Sequence, residues 1–142
     1  MPRSTAERKM QQAIVQHARA EKLLVIGSGN GAYLGGKGTG PRSRRQGAVQ
    51  WTTLKSTGAS AGYPDLFIHK RGFFGEIGLA VECKVVGNHL SEAQEGWRAD
   101  LLTANCGYAV VHSLAEFKAA VSKYLDGTGT NVPGTPTLPI EL

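Results

Sequence analysis

Apolar side chains in STAERKMQQAIVQHARA, residues 4–20, recur at Ala6, Met10, Ile14 and Ala18, the spacing of one helical stripe. Ser4 stands three residues before Glu7 in the form of a capping box, so a helix is predicted to start there. The short apolar run LLVI at 23–26 gives way to GSGNGAYLGGKGTGPRSRRQG, which has neither the helical nor the strand period and reads as a long mobile loop. AVQWTTL at 48–54 carries β-branched and aromatic residues and predicts a strand, closed by the break KSTGASAGYP. DLFI at 65–68 and LAVECKVV at 79–86 are the clearest strands. The glycines and charges of HKRGFFGEIG between them suit a hairpin, so antiparallel pairing is expected. Ser91 opens a second helix through residue 104, with Gly107 as its stop; YAVVH at 108–112 reads as a buried strand, and a third helix follows over 113–125. DGTGTNVPGTPTLPIEL holds three prolines and little to bury. The pattern predicts an α/β fold in the order α-β-β-β-α-β-α, a mixed sheet flanked by helices. One domain over residues 1–125 and a flexible tail over 126–142 complete the expected organisation.

Alternation along 79–86 puts Leu79, Val81, Cys83 and Val85 on one side and Ala80, Glu82, Lys84 and Val86 on the other. Asp65 opens the partner strand, and antiparallel pairing could bring its carboxylate near Glu82. Two adjacent carboxylates repel unless a cation lies between them, and oxygen ligands favour Mg²⁺ or Mn²⁺. Magnesium keeps several waters, and an acidified water beside a lysine ammonium is what phosphodiester hydrolysis needs. The same pattern also accommodates a Glu82–Lys84 ion pair on a solvated face, with Asp65 as a turn residue after Pro64.

Composition narrows the choice of partner. The chain has 142 residues and a net charge of +5, unevenly spread: residues 1–60 hold 10 Lys/Arg against 2 Asp/Glu (+8), and residues 61–142 hold 6 against 9 (−3). A basic half beside a more acidic one fits a protein that meets a polyanion on one surface. Lys37, Arg42, Arg44 and Arg45 in the glycine-rich segment are placed to neutralise phosphates without reading sequence. Tyr33 and Trp51 could stack on unpaired bases, though aromatics so placed are more often packing residues. GAYLGGKG at 31–38 nearly spells a phosphate-binding P-loop, but Gly38 stands where a Ser or Thr must hold magnesium, so no nucleotide cofactor is expected. Cys83 and Cys106 have neither zinc spacing nor a disulfide framework, and the four histidines share no spacing. The chain shows neither a membrane span nor a signal peptide, and an intracellular location is expected.

GYPDLFI, then ECK with sixteen residues between Asp65 and Glu82, and then LSEAQEGWRADLLTANCGYAVVHS together resemble the VRR-NUC (virus-type replication and repair nuclease) family of the PD-(D/E)XK superfamily, over most of residues 5–125. Gly62, Pro64, Asp65, Glu82, Lys84, Ser91, Gln94 and Gly107 carry the resemblance. It implies a restriction-endonuclease-like core and a metal-dependent DNA endonuclease. Asp65, Glu82 and the Cys83 carbonyl would bind Mg²⁺, with Mn²⁺ substituting, and Lys84 would orient the attacking water. Glu7 would support the metal directly or through water, although the capping box with Ser4 competes for it. Gln94 would lie near the metal or the scissile phosphate, with a capping role from Ser91 as its competitor. Stand-alone domains of this size resemble homodimeric enzymes that resolve four-way (Holliday) junctions, which makes branched DNA the expected partner. A flap or nicking nuclease of the same fold, or a non-catalytic basic binding module, is the alternative.

Overall fold

The computed structural model describes residues 4–28, 52, 55–56 and 58–127. Helix α1 (Thr5–Ala20) is followed by strand β1 (Val25–Gly27), β2 (Leu66–Ile68), β3 (Leu79–Cys83), helix α2 (Glu92–Thr103), β4 (Gly107–Val111) and helix α3 (Leu114–Asp126). Each of these three helices starts at a serine whose hydroxyl accepts a backbone N–H three residues on: Ser4 from Glu7, Ser91 from Gln94 and Ser113 from Glu116.

The four strands form one mixed sheet in the order β1-β2-β3-β4, antiparallel except for the parallel pair β3–β4, whose crossover is α2. One face packs against α1 and α3, where Ile14, Ala18, Phe117 and Tyr124 meet Leu66, Val81 and Val111. The other face lies under α2, where Leu101 meets Ala80 and Tyr108. Covered on both sides, β3 is buried at all five positions, including Glu82.

The α/β class and the element order hold, but the first strand is not the expected one. Of the strand predicted over 48–54, only Thr52 lies within the described residues, and it is helical, as are Lys55 and Ser56. The first strand comes instead from the LLVI run, as a three-residue edge strand with only Val25 buried. The first helix ends where expected, at Ala20, but the stop of the second is reassigned. Lys22 (φ 60°) and Asn105 (φ 63°) take the left-handed conformation just beyond α1 and α2. In both cases the next N–H reaches back five residues, Leu23 to the Ala18 carbonyl and Cys106 to that of Leu101, which completes Schellman caps. Asn105, not Gly107, therefore stops α2. Gly107 begins β4, where a Cβ would come within 2.9 Å of the Tyr124 ring. β3 ends three residues early because the chain turns at 85–88, with Asn88 N–H bonded to the Val85 carbonyl and Gly87 at φ 91°. The expected tail lies outside the described residues from 128 onward.

Candidate active site

The register of the central hairpin brings the two carboxylates together. Leu66 pairs with Val81, so one further step along the same antiparallel ladder sets Asp65 opposite Glu82, with both side chains on one face. Beyond that step stands Pro64 opposite Cys83, and a proline has no N–H to give the facing carbonyl. The Cys83 N–H, for its part, donates to the Asp65 carboxylate, at 2.8 Å. Asp65 is anchored on its other side by its carbonyl, which accepts the Ser28 N–H at 2.9 Å. Glu82 is 3% exposed and Asp65 6%. A solvated strand face is therefore ruled out for this pair, and their charges need partners from the protein or from a ligand.

Gln94 is one such partner. Its Nε2 donates to Glu82 Oε1 at 2.8 Å, while its Oε1 accepts the Ser91 N–H, also at 2.8 Å, and closes a capping box. The cap and the carboxylate contact, which compete on paper, coexist because a primary amide has a donor end and an acceptor end. Glu7 resolves differently. Ser4 caps its N–H at 3.1 Å, and Glu7 Oε1 accepts the Val85 N–H at 3.4 Å, at the end of the chain segment that carries Glu82. Lys84 is half-buried, and its N–H donates to the Val111 carbonyl at 3.0 Å, which carries the β3–β4 ladder one step beyond the strand. Strand alternation thus extends to Lys84 and puts it on the Glu82 face. The Cys83 side chain belongs to the core on the opposite face, so this residue offers the site its backbone only.

Three contacts hold the turn that bears Asp65 against α2. Gly62 (φ 84°) sits so close to the first turn of α2 that a Cβ would lie 2.5 Å from the Ala93 carbonyl carbon. Trp97 Nε1 donates to Ser60 Oγ at 3.1 Å, and the Tyr63 and Trp97 rings meet edge to face with centroids 5.0 Å apart. Ser60, Tyr63 and Trp97 thereby set the distance between Asp65 and Gln94. Both aromatics stand inside the GYPD and QEGW segments, but nothing in their spacing shows that they pair. Among the described residues, no group of three or more His, Cys, Asp or Glu side chains is gathered as a metal cage, and the site's donors are carboxylate and backbone oxygens. Lys37, Arg42, Arg44 and Arg45 lie outside the described residues, as do Tyr33 and Trp51.

A solved structure, a VRR_NUC domain protein, aligns with this chain at a TM-score of 0.61 and 18% identity, covering 86% of this chain and 89% of that one. The chain has the VRR_NUC fold. The resemblance to the VRR-NUC family is borne out at the level of the fold. No protein-family model matches the chain, nor does any curated protein sequence. Among the described residues no helix is long and apolar enough to cross a membrane.

Proposed function

We propose that the chain is a magnesium-dependent endonuclease that hydrolyses phosphodiester bonds in branched DNA, four-way junctions foremost, as a homodimer. The supporting observation is the juxtaposition of Asp65 and Glu82, buried and opposite one another, with Gln94 donating to Glu82, in a VRR_NUC fold.

The donor chemistry fits a hard divalent cation. Two carboxylates and a backbone carbonyl supply the hard oxygen ligands that magnesium prefers. Asp65, Glu82 and the Cys83 carbonyl would hold Mg²⁺, with Mn²⁺ able to replace it and Glu7 lending support from α1. When bound, the cation supplies Lewis acidity at a phosphate oxygen and lowers the pKa of a coordinated water. The chain's own groups do the rest. Gln94 holds the Glu82 carboxylate through Oε1, and the Cys83 N–H holds that of Asp65. Lys84 orients the attacking water and places an ammonium beside the charge that develops on the phosphate. The water oxygen bonds to phosphorus as the bond to the 3′ oxygen breaks, leaving a 3′-hydroxyl and a 5′-phosphate. Lys37, Arg42, Arg44 and Arg45 neutralise backbone phosphates without selecting sequence. A twofold dimer with two such sites matches the symmetry of a four-way junction, which needs two symmetric cuts.

The test is incubation with Mg²⁺ and a panel of linear, flapped and four-way DNAs, together with a native mass measurement. The proposal expects the four-way DNA to be cut fastest and the mass to be that of two chains. Preferential cutting of flaps would reassign the substrate, and binding without cleavage of any DNA would leave a basic binding module.

A further inference from the structure

Tyr108 stands in β4 two residues before Val110, the parallel partner of Glu82, and itself pairs with Ala80. Ala80 and Glu82 project from the same face of β3, so Glu82 is the diagonal neighbour of Tyr108 on that face. Tyr108 is fully buried beneath α2, in the cluster with Ala80 and Leu101. Its hydroxyl is buried too and has no hydrogen-bond partner. A buried tyrosine usually satisfies its hydroxyl, and stranding that group costs about 1–3 kcal/mol, a cost that phenylalanine in the same space avoids. The charges around it are those of the candidate site. Burial pushes the Tyr108 hydroxyl well above its ordinary pKa, Glu82 and then Asp65 push it further, Arg98 opposes them and Glu95 adds a smaller rise. The hydroxyl keeps its proton and is a donor set among acceptors.

We propose that Tyr108 is a positioning residue for Glu82, its hydroxyl donating to the Glu82 carboxylate once a divalent cation is bound and holding that carboxylate as a ligand. The role rests on the metal site proposed above. Gln94 already engages Oε1, and the second oxygen, Oε2, is buried as well. Hydrogen bonds that orient a ligating carboxylate are typically worth about 10–100-fold in metal affinity.

The experiment is calorimetric titration of Mn²⁺ into the wild type and Tyr108→Phe, paired with urea unfolding of both metal-free proteins. The metal-free variant is expected to be at least as stable as the wild type. Its Mn²⁺ affinity is expected to fall about 10–100-fold, by the same factor at about pH 6 and about pH 9, because a neutral hydroxyl does not titrate between them. Equal affinity in the two proteins overturns the proposal. So does a metal-free variant less stable than the wild type, which assigns the hydroxyl a structural role. A wild type that binds no Mn²⁺ overturns the metal reading itself, and this role with it.

Discussion

Gln94→Ala removes two contacts at once, and the structure allows their sizes to be separated. The side chain donates to Glu82 Oε1 at 2.8 Å and accepts from the Ser91 N–H at 2.8 Å. The second contact is half of an exposed capping box, and caps of this kind contribute about 1 kcal/mol. The first is a hydrogen bond to a charged group that is 3% exposed. Leaving such a group short of a partner costs about 1.5–3 kcal/mol. Gln94→Ala should therefore lower the unfolding free energy by about 2.5–4 kcal/mol, against about 1 kcal/mol for Ser91→Ala, which removes only the cap. Urea unfolding of the two variants in metal-free buffer measures the difference. A third variant, Glu82→Gln with Gln94→Ala, closes a double-mutant cycle in which most of the excess should vanish. Equal destabilisation by Ser91→Ala and Gln94→Ala would refute the claim that Gln94 holds Glu82.

Gly62→Ala combines a positive φ with a Cβ 2.5 Å from the Ala93 carbonyl carbon, and the neighbour is helix backbone that cannot yield cheaply. Loss of more than about 3 kcal/mol of stability is expected in thermal or urea unfolding, and a near-neutral result would contradict the close approach of turn and helix. Glu76 is fully buried with neither carboxylate oxygen hydrogen-bonded, at the end of the hairpin away from Asp65. Glu76→Met, similar in length and without those oxygens, should raise stability by about 1–3 kcal/mol in the same assay; a loss would mean that the carboxylate contributes an interaction the packing does not reveal. Calcium should support DNA binding without turnover because it accepts looser geometry than magnesium, and full cleavage in calcium would count against the proposed chemistry.

The parts of this fold that could be read from the chain are those governed by short-range chemistry. Ser4, Ser91 and Ser113 announce the starts of α1, α2 and α3, and alternation in LAVECKVV puts Glu82 and Lys84 on one face. The pairing of Asp65 with Glu82 follows because strand register moves in whole residues and a hairpin leaves few registers to choose from. What escaped reading depends on contacts distant in sequence. The edge strand at Val25–Gly27 is too short to show a period, and AVQWTTL looks like a strand by composition although Thr52 is helical. The α2 stop at Asn105 was hidden by Gly107, a glycine kept for packing against Tyr124 rather than for its backbone freedom. The burial of Glu76 could not be expected of a charge in a glycine-rich connection. The dual role of Gln94 was visible only as a conflict between capping and catalysis, because sequence spacing does not say which end of an amide faces which neighbour.

The central claim is that the face bearing Asp65, Glu82 and Lys84 cuts DNA rather than merely lying beneath a binding surface. It is tested most directly by cleavage of an end-labelled four-way DNA in Mg²⁺ by the wild type and Lys84→Ala, with binding of the same DNA measured in parallel. Cleavage by the wild type is expected, with a collapse of cleavage in the variant by about 100-fold or more and binding largely kept. Undiminished cutting by Lys84→Ala, or binding by the wild type with no cutting, would contradict the claim.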